Sequence, residues 1–447
     1  MEKDLTSGSV LKNIFTFSLP YLLSYFLQTL YGMADLFIIG RFEGVASTTA
    51  VSIGSQVMHM ITVILVGVAM GTTVCIGRSV GAGDKKQAAK VIGNTVTLFM
   101  VGSVVLAAAL VGLVDPIVRL ISTPEEAVAG TTAYLTICFI GIPCITAYNV
   151  LASIFRGWAT PEAHVLHRRG LCGEHRAGLL LHGGAPSRPG RRSTWHDALA
   201  GRERFAGPLR HFEAQEHQTV EKRLLPPGKP LMKDILSIGL PVAAQDGFIQ
   251  VSFMLITIMA NQRGLTDAAA VGIVEKIISF LFLVPSSMLS TVSALGAQNI
   301  GAGKYDRVDK ILRYAIAIGV GFGAVMALLM QFIAPSVVRP FTSDEAVVKA
   351  GAAYIRSYIF DCLFAGIQFS FSGYFCAWGR SGLSFLHNTL SILMVRVPGA
   401  WLACRFFPQT LVPMGLAPAC GSLFSSIVCV LLYRWMKRQN KPTGDKD

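Results

Sequence analysis

Four acidic residues stand inside long apolar runs of the sequence, where an ionised side chain is costly. They are Asp35, Asp246, Glu275 and Asp361. A carboxylate in such surroundings can hold a proton or bind a cation, so each one is a functional candidate. We predict that occupancy of Asp35, in "YGMADLFIIG", biases the protein between two conformations. Because Asp35 lies near the end of its run, a water-exposed position is the alternative.

Two glutamines in apolar runs extend this set of polar residues. A buried amide can line a cavity or hydrogen-bond to a neighbouring helix, and both explanations stay open for the glutamines. For Glu275, an ion pair with Lys276 or the adjacent turn is the alternative to a functional role. We predict a substrate cavity lined by Gln28, Gln245, Asp246, Glu275 and Asp361.

The composition indicates the kind of fold that positions these residues. Of the 447 residues, 52% are hydrophobic and only 15% are charged, whereas soluble proteins carry about 25% charged residues. The apolar runs reach the length of about 20 residues that a transmembrane helix needs. The sequence therefore predicts an all-α polytopic membrane protein, since barrel strands would alternate over about 10 residues.

We predict ten membrane spans with an interval between the fourth and the fifth. The apolar runs place them at residues 14–39, 48–75, 91–114, 131–155, 235–260, 268–296, 311–334, 350–377, 384–407 and 411–434. Nothing in the sequence indicates an enzyme, because no catalytic triad, HExxH or phosphate-binding GxxxxGK[ST] pattern is present. We expect no cofactor and no metal site.

Basic residues predict the orientation in the membrane. Four segments carry four Lys or Arg each, namely 76–90, 222–233, 304–313 and 434–441, whereas the intervening loops mostly carry one. Lys and Arg concentrate in cytoplasmic loops. We therefore predict a multi-pass protein of the cell (inner) membrane with both termini in the cytoplasm. The same explanation accounts for the net charge of +13 without a nucleic-acid partner.

The sequence contains an internal repeat. "VLKNIFTFSLP" at 10–20 matches "LMKDILSIGLP" at 231–241, and "GAGD" at 81–84 matches "GAGK" at 301–304. The offset stays near 220 residues, which indicates two lobes of six helices in the same orientation. Such lobes are related by a pseudo-two-fold axis along the membrane normal. The paired glycine segments predict a tight turn between helices in each lobe.

The repeat shows that two helices are missing from the first lobe. Residues 161–225 occupy their place but contain ten Arg, seven of the nine His and no Ile. The longest interval without a formal charge there, 177–187, is too short to span a membrane. We divide the chain into helices 1–4 at 1–160, an aberrant basic segment at 161–225, helices 7–12 at 226–440 and a cytoplasmic tail at 441–447.

Three explanations of the basic segment stay open. It is a frame-shifted translation of helices five and six, a real cytoplasmic loop that replaces them, or a basic or metal-binding module. The frame shift keeps the length of the segment while changing its residue types. The third explanation has little support, because His164, His167, His175 and His182 lack a tight ligand spacing around the single Cys172.

The two repeats together resemble the MATE (multidrug and toxic compound extrusion) family. The residues that carry the resemblance are "SLPYLLSYFLQTLYGMADLFIIGRF" at 18–42, "GAGDKKQAAK" at 81–90, "FRGW" at 155–158 and "IGAGKYDRVDK" at 300–310. The closest likeness is to the bacterial and archaeal DinF-like members. The resemblance implies twelve helices in two lobes around a cavity, and Asp35 occupies the position of the family's helix-one Asp.

The resemblance also implies a function. We expect export of organic cations against an inward flow of Na⁺ or H⁺, by a monomer whose partners are its substrates and membrane lipid. In the subgroup, helix five supplies an Asn and an Asp that cooperate with the helix-one Asp, and nothing in 161–187 matches them. The alternatives are a flippase for lipid-linked precursors, which favours a cationic cavity, and a non-functional frame-shifted product.

Overall fold

The chain folds into helices throughout the part that the structure describes. The computed structural model describes residues 5–20, 22–23, 26, 45–121, 123–158 and 228–439. The helices of the first half (residues 5–158) are α1 at residues 10–20, α2 (Val45–Gly81), α3 (Lys85–Gly112), α4 (Val114–Leu120), α5 (Glu125–Ile140) and α6 (Ile142–Trp158).

The second half (residues 228–439) contains nine further helices. They are α7 (Lys229–Asn261), α8 (Leu265–Leu281), α9 (Leu283–Gly301), α10 (Tyr305–Val338), α11 (Glu345–Tyr358), α12 (Phe360–Ala377), α13 (Ser381–Ser391), α14 (Val397–Phe406) and α15 (Val412–Gln439). A 3₁₀ turn, Arg339–Phe341, extends α10. A π-helical turn, Ile392–Arg396, joins α13 to α14.

The predicted spans agree with these helices. Among the described residues, eight helices or continuous helix pairs are long and apolar enough to cross a membrane, and the bent pair α5–α6 makes a ninth. They coincide with the last nine of the ten predicted spans. The first predicted span, 14–39, lies mostly outside the described residues. The prediction of an all-α polytopic membrane protein is therefore confirmed.

Exposed apolar side chains show which surface meets lipid. On α3, Val101, Val104 and Val105 are between 57% and 63% exposed, and on α10 Leu328 and Phe332 are 63% and 75% exposed. Apolar patches of this kind are unfavourable in water, whereas a bilayer core is as apolar as the side chains themselves. The backbone groups beneath them are satisfied within their own helices, as a membrane requires.

The predicted repeat appears as matching helices at an offset of 220 residues. Helix α2 corresponds to α8 and α9 together, α3 with α4 corresponds to α10, and α5 with α6 corresponds to α11 with α12. The predicted turns match as well, because Gly83 and Gly303 have φ angles of +73° and +71°. A side chain is strained in that conformation, so glycine is required at both positions. The arrangement is consistent with a twelve-helix plan in two lobes.

The two halves meet at the end of the bundle that carries the turns at 82–84, 302–304 and 378–380, here called the basic end. Close to it, α2 of the first half crosses α7 and α9 of the second. A β-carbon at Gly71 would overlap the carbonyl oxygen of Ile235, and one at Gly239 would overlap that of Val68. Small residues allow this close approach of helix backbones within a membrane.

The N-terminal segment, residues 5–9, also joins the halves at the basic end. Its Leu5 is buried in a core cluster with residues of α9, α10 and α12. Lys304 Nζ donates to Thr6 O at 2.8 Å, and Arg307 donates to Ser7 O at 3.2 Å and Gly8 O at 3.0 Å. The segment before the first helix is thus held by the second half.

Candidate functional site

The predicted site residues divide between described and undescribed parts of the chain. Gln28 and Asp35 lie outside the described residues, as does the whole segment 161–225. Gln245 and Asp246 lie on α7, Glu275 on α8 and Asp361 at the start of α12. The geometry of the candidate site is therefore that of the second half.

Asp361 forms a buried ion pair with Arg396. Arg396 Nη2 lies 3.6 Å from Asp361 Oδ2, and the two side chains are only 8% and 0% exposed. Arg396 Nη2 also donates to Tyr358 Oη at 3.1 Å, and its Cζ lies 4.7 Å from the ring centre of Phe253. Neither carboxylate oxygen of Asp361 accepts a hydrogen bond of normal geometry from the described residues. The guanidinium is the charge that compensates this carboxylate.

A local irregularity in the helix places Arg396 at this point. Arg396 is the last residue of the π-helical turn, and Pro398 follows within the first turn of α14. Proline has no N–H and its ring clashes with the preceding turn, so it kinks or breaks a regular helix. The Val397 N–H bonds to the Ile392 carbonyl, five residues earlier. Such π-turns frequently occur at functional sites.

Glu275 binds Thr257 of the neighbouring helix α7. Thr257 Oγ1 lies 3.2 Å and 3.1 Å from the two carboxyl oxygens of Glu275. The same hydroxyl lies 3.0 Å from the backbone oxygen of Phe253. The alternative of an ion pair with Lys276 is not what the structure shows, since Lys276 is exposed and Glu275 is half-buried.

Two buried tyrosines lie near both carboxyl groups. The rings of Tyr354 and Tyr358 on α11 are 5.5 Å apart and both side chains are buried. The charges of Glu275, Asp361 and Arg396 all act on both hydroxyls. These five residues are called the acid cluster below. With both carboxyl groups ionised it carries a net charge of −1.

Asp246 does not belong to the acid cluster. It lies near the Cys376 thiol at the other end of α12, and 15 residues of helix correspond to about 22 Å between the levels of Asp361 and Cys376. Asp246 is half-buried and forms no hydrogen bond or ion pair with a described residue. Its neighbour Gln245 is buried, and Gln245 Oε1 accepts from Ser384 Oγ at 2.5 Å. Of the predicted acids, only Glu275 and Asp361 come together.

Arg396, Thr257 and the two tyrosines are absent from the predicted site. The signal for Arg396 is visible in the sequence, because this arginine lies in the middle of the predicted span 384–407, whereas the other arginine of the span, Arg405, lies near its end. The same argument that selects intramembrane acids selects this base. Thr257, Tyr354 and Tyr358 carry no such signal, since uncharged residues of these types are common in transmembrane helices. In the described part of the chain no group of three or more His, Cys, Asp or Glu residues is placed to hold a metal ion.

Comparison with known families identifies the chain. The model of the family described as MatE matches residues 20–166 and 241–402, which is more than half of the chain. The chain belongs to the MatE family. All candidate residues, and Arg396, lie within the two matched ranges. At the offset of 220, the end of the second match at 402 corresponds to residue 182, whereas the first match ends at 166.

Curated proteins similar to this MatE chain include one from Bacillus subtilis and one from Staphylococcus aureus. The probable multidrug resistance protein YoeA of Bacillus subtilis is 22% identical, over 96% of this chain and 95% of its own length. The multidrug export protein MepA of Staphylococcus aureus is 23% identical, over 83% of this chain and 82% of its own.

Solved structures agree in fold. A structure described as the outward-facing conformation of a multidrug resistance MATE family transporter of the MOP superfamily has a TM-score of 0.86 and 20% identity, over 98% of both chains. A crystal structure of MATE in complex with MaL6 has a TM-score of 0.85 and 20% identity, over 97% of this chain and 98% of the other. The finer assignment to DinF-like members remains a prediction.

Proposed function

We propose that this protein is a cation-coupled multidrug antiporter that exports organic cations by alternating access. The observation that carries the proposal is the acid cluster, which has two carboxyl groups and one guanidinium within membrane-spanning helices. The names of YoeA and MepA as multidrug resistance and export proteins support the class of substrate.

The charge of the cluster explains how an ion drives the cycle. A net charge of −1 within the membrane is costly, and one bound proton or Na⁺ neutralises it. Binding that differs between the two conformations shifts their populations, which couples the ion to substrate release. In the first half we assign the same role to Asp35, so each half has its own acid.

A separate acid is assigned to the substrate. Asp246 is half-buried, without a polar partner among the described residues, and far from the acid cluster. A cationic drug can therefore approach its carboxylate without meeting the guanidinium of Arg396. Gln28 and Gln245 complete the proposed cavity, although Gln245 is already hydrogen-bonded to Ser384.

The contacts at the basic end support an outward-facing conformation. If both termini and the basic end face the cytoplasm of a cell (inner) membrane, the described contacts between the halves close the cytoplasmic side. The resemblance to a structure described as outward-facing is consistent with this proposal. The proposed working unit is the monomer embedded in lipid.

A drug-efflux assay tests the proposal. In an exporter-deficient strain, expression of the chain is expected to accelerate ethidium or norfloxacin efflux, and Asp35→Asn and Glu275→Gln are each expected to abolish the acceleration. Asp115→Asn removes an exposed acid on α4 and serves as the matched control. Acceleration that is equal in all variants removes both acids from the mechanism. No acceleration by the well-folded parent chain contradicts the exporter.

A flippase for lipid-linked precursors is not favoured. Phosphate headgroups need a cationic cavity, whereas the acid cluster is negative even with Arg396 included. The other alternative is a non-transporting, frame-shifted product, and it depends on the origin of the segment 161–225. Expression and membrane extraction of the full chain distinguish it from an inactive but folded transporter.

A further inference from the structure

We propose that the exposed face of α15 binds one anionic phospholipid at the basic end, with the phosphate on Arg380 and Arg438 and the acyl chains along the helix. The inference goes beyond the proposed function, because it concerns the membrane around the protein and not the transported ion or drug. The residues of this face, called the lipid site below, are Arg380, Leu423, Ile427, Leu431, Trp435 and Arg438.

Apolar side chains form an exposed stripe along α15. Leu423, Ile427 and Leu431 are 42%, 52% and 58% exposed, and Trp435 is 47% exposed. The spacing of four residues makes each one the neighbour of the next on the helix surface. From Leu423 to Trp435 the stripe is about 18 Å long at the helical rise of about 1.5 Å per residue. Half of a bilayer core is about 15 Å thick, so the stripe matches the acyl chains of one leaflet.

Arg380 places a cation at the end of this stripe. Its Cζ lies 5.7 Å from the ring centre of Trp435, and its Nη1 donates to Gln439 Oε1 at 3.2 Å. Both contacts are with α15, although Arg380 itself precedes α13. A guanidinium carries its N–H groups in a planar fork that matches phosphate oxygens. Tryptophan is enriched at the level of lipid headgroups, so the guanidinium beside Trp435 lies at the depth of a phosphate group.

The charges of the lipid site favour an anionic headgroup. Arg438 is exposed and lies three residues after Trp435, which places it beside that ring on the helix surface. Among the described residues, neither Arg438 nor Arg380 forms an ion pair. Their neighbour Lys437 differs, because its Nζ lies 2.5 Å from Asp309 Oδ2. Basic residues at a membrane surface attract anionic lipid, whereas a zwitterionic headgroup has no net charge to compensate two arginines.

Native mass spectrometry of the purified full chain measures the binding. Dioleoyl phosphatidylglycerol is expected to bind more tightly than dioleoyl phosphatidylcholine. The double variant Arg380→Gln/Arg438→Gln is expected to bind phosphatidylglycerol about 25-fold more weakly, which is about fivefold or about 1 kcal/mol for each arginine. Lys86→Gln/Lys90→Gln removes the same charge from exposed lysines of α3 and is the matched control. Equal affinities of the two double variants for phosphatidylglycerol indicate a diffuse attraction and overturn the proposal.

Tryptophan fluorescence locates the bound lipid. The other four tryptophans are replaced by phenylalanine, and the protein is placed in phosphatidylcholine bilayers. Brominated phosphatidylglycerol is expected to quench Trp435 more than brominated phosphatidylcholine at the same mole fraction. Arg380→Gln is expected to remove this difference and to leave quenching by brominated phosphatidylcholine unchanged, which shows that the variant keeps its general contact with lipid. A difference that persists in Arg380→Gln overturns the proposal.

Inorganic phosphate is the other source of such an anion. It has no acyl chain to contact the apolar stripe, so an excess of phosphate is expected to leave the quenching by brominated phosphatidylglycerol unchanged. Recovery of Trp435 fluorescence on addition of phosphate shows that the arginines bind an anion without selecting a lipid, and it also overturns the proposal.

Discussion

Arg78 and Gln298 occupy equivalent positions in the two halves, and each donates hydrogen bonds to the other half. Arg78 Nε and Nη2 lie 3.1 Å and 2.6 Å from the carbonyl oxygen of Ala377. Gln298 Nε2 lies 2.9 Å from that of Gly157. Donors and acceptors are both related by the offset of 220. The basic end is thus closed by a reciprocal pair of contacts, as in a symmetric dimer interface.

A glycine in each half makes this closure possible. A β-carbon at Gly81 would overlap the carbonyl oxygen of Gln298, and one at Gly301 would overlap that of Arg78. These two glycines are also equivalent at the offset of 220. The helices α2 and α9 can approach this closely only because both positions lack a side chain.

We predict that Gly81→Leu or Gly301→Leu opens the basic end. The added side chain cannot fit between the backbones, so the closed conformation is destabilised relative to the open one. Spin labels are attached at the exposed positions 86 and 306 in a background without native cysteines. The distance between them, measured by double electron–electron resonance, is expected to increase. Gly102→Leu, at a glycine of α3 with open space around it, is expected to leave the distance unchanged. An unchanged distance in both Gly81→Leu and Gly301→Leu contradicts the prediction.

We predict that Arg396→Met destabilises the protein more than the double variant Asp361→Asn/Arg396→Met. Removing one partner of a buried ion pair leaves an uncompensated group and costs about 3–5 kcal/mol, whereas removing both costs less. Thermal unfolding in detergent ranks the stabilities of the two variants. Arg339→Gln breaks a pair whose side chains are 61% and 74% exposed, so it is expected to change stability little. A double variant less stable than Arg396→Met argues against the pair.

We predict that Asp246→Asn weakens binding of cationic substrates and leaves binding of the coupling ion at the acid cluster intact. The residue lies on α7 near Cys376, whose level on α12 is about 22 Å from that of Asp361. Titration with tetraphenylphosphonium is expected to show roughly tenfold weaker binding, equivalent to loss of one partly buried charge interaction of about 1.4 kcal/mol. The affinity of the acid cluster for its coupling ion is expected to stay the same. Unchanged affinity removes Asp246 from the substrate site.

We predict that Lys304→Ala with Arg307→Ala releases the N-terminal segment. These two side chains bind the carbonyl oxygens of Thr6, Ser7 and Gly8. The hydrogen-exchange rate of the amides at 5–9 is expected to rise toward the rate of an unprotected, solvent-exposed segment. Lys310→Ala, at an exposed lysine of the same helix, is the control. Equal exchange in all three proteins shows that burial of Leu5 and the hydrogen bonds from Asn13 and Asn299 hold the segment without these two side chains.

We predict that a neighbouring reading frame across codons 158–228 encodes two apolar runs. The family match supports this, because the first matched range ends at 166 while its counterpart extends to the equivalent of 182. The nucleotide sequence decides it directly. Two apolar runs in neither frame contradict the frame shift, and protease cleavage throughout 161–225 in inside-out vesicles then indicates a cytoplasmic loop.

The main features of the fold follow from patterns along the chain. Membrane spans are visible because a bilayer demands about 20 apolar residues in a row, and nine predicted spans coincide with helices. The repeat is visible because both halves fold into the same arrangement of helices and therefore need similar residues at equivalent positions. Gly83 and Gly303, in the equivalent turns, are an example. Selection of Glu275 and Asp361 needs no structure, since an acid within an apolar run is costly wherever it lies.

The partners of those acids depend on the tertiary structure. Sequence alone groups Asp246 with Glu275 and Asp361, because all three share one local signal. The fold separates Asp246 from them and brings Arg396, 35 residues after Asp361, to 3.6 Å from its carboxylate. Hydrophobicity along a helix determines whether a residue enters the membrane. Which charges meet inside it is determined by helix packing, and here a π-helical turn places Arg396 beside Asp361.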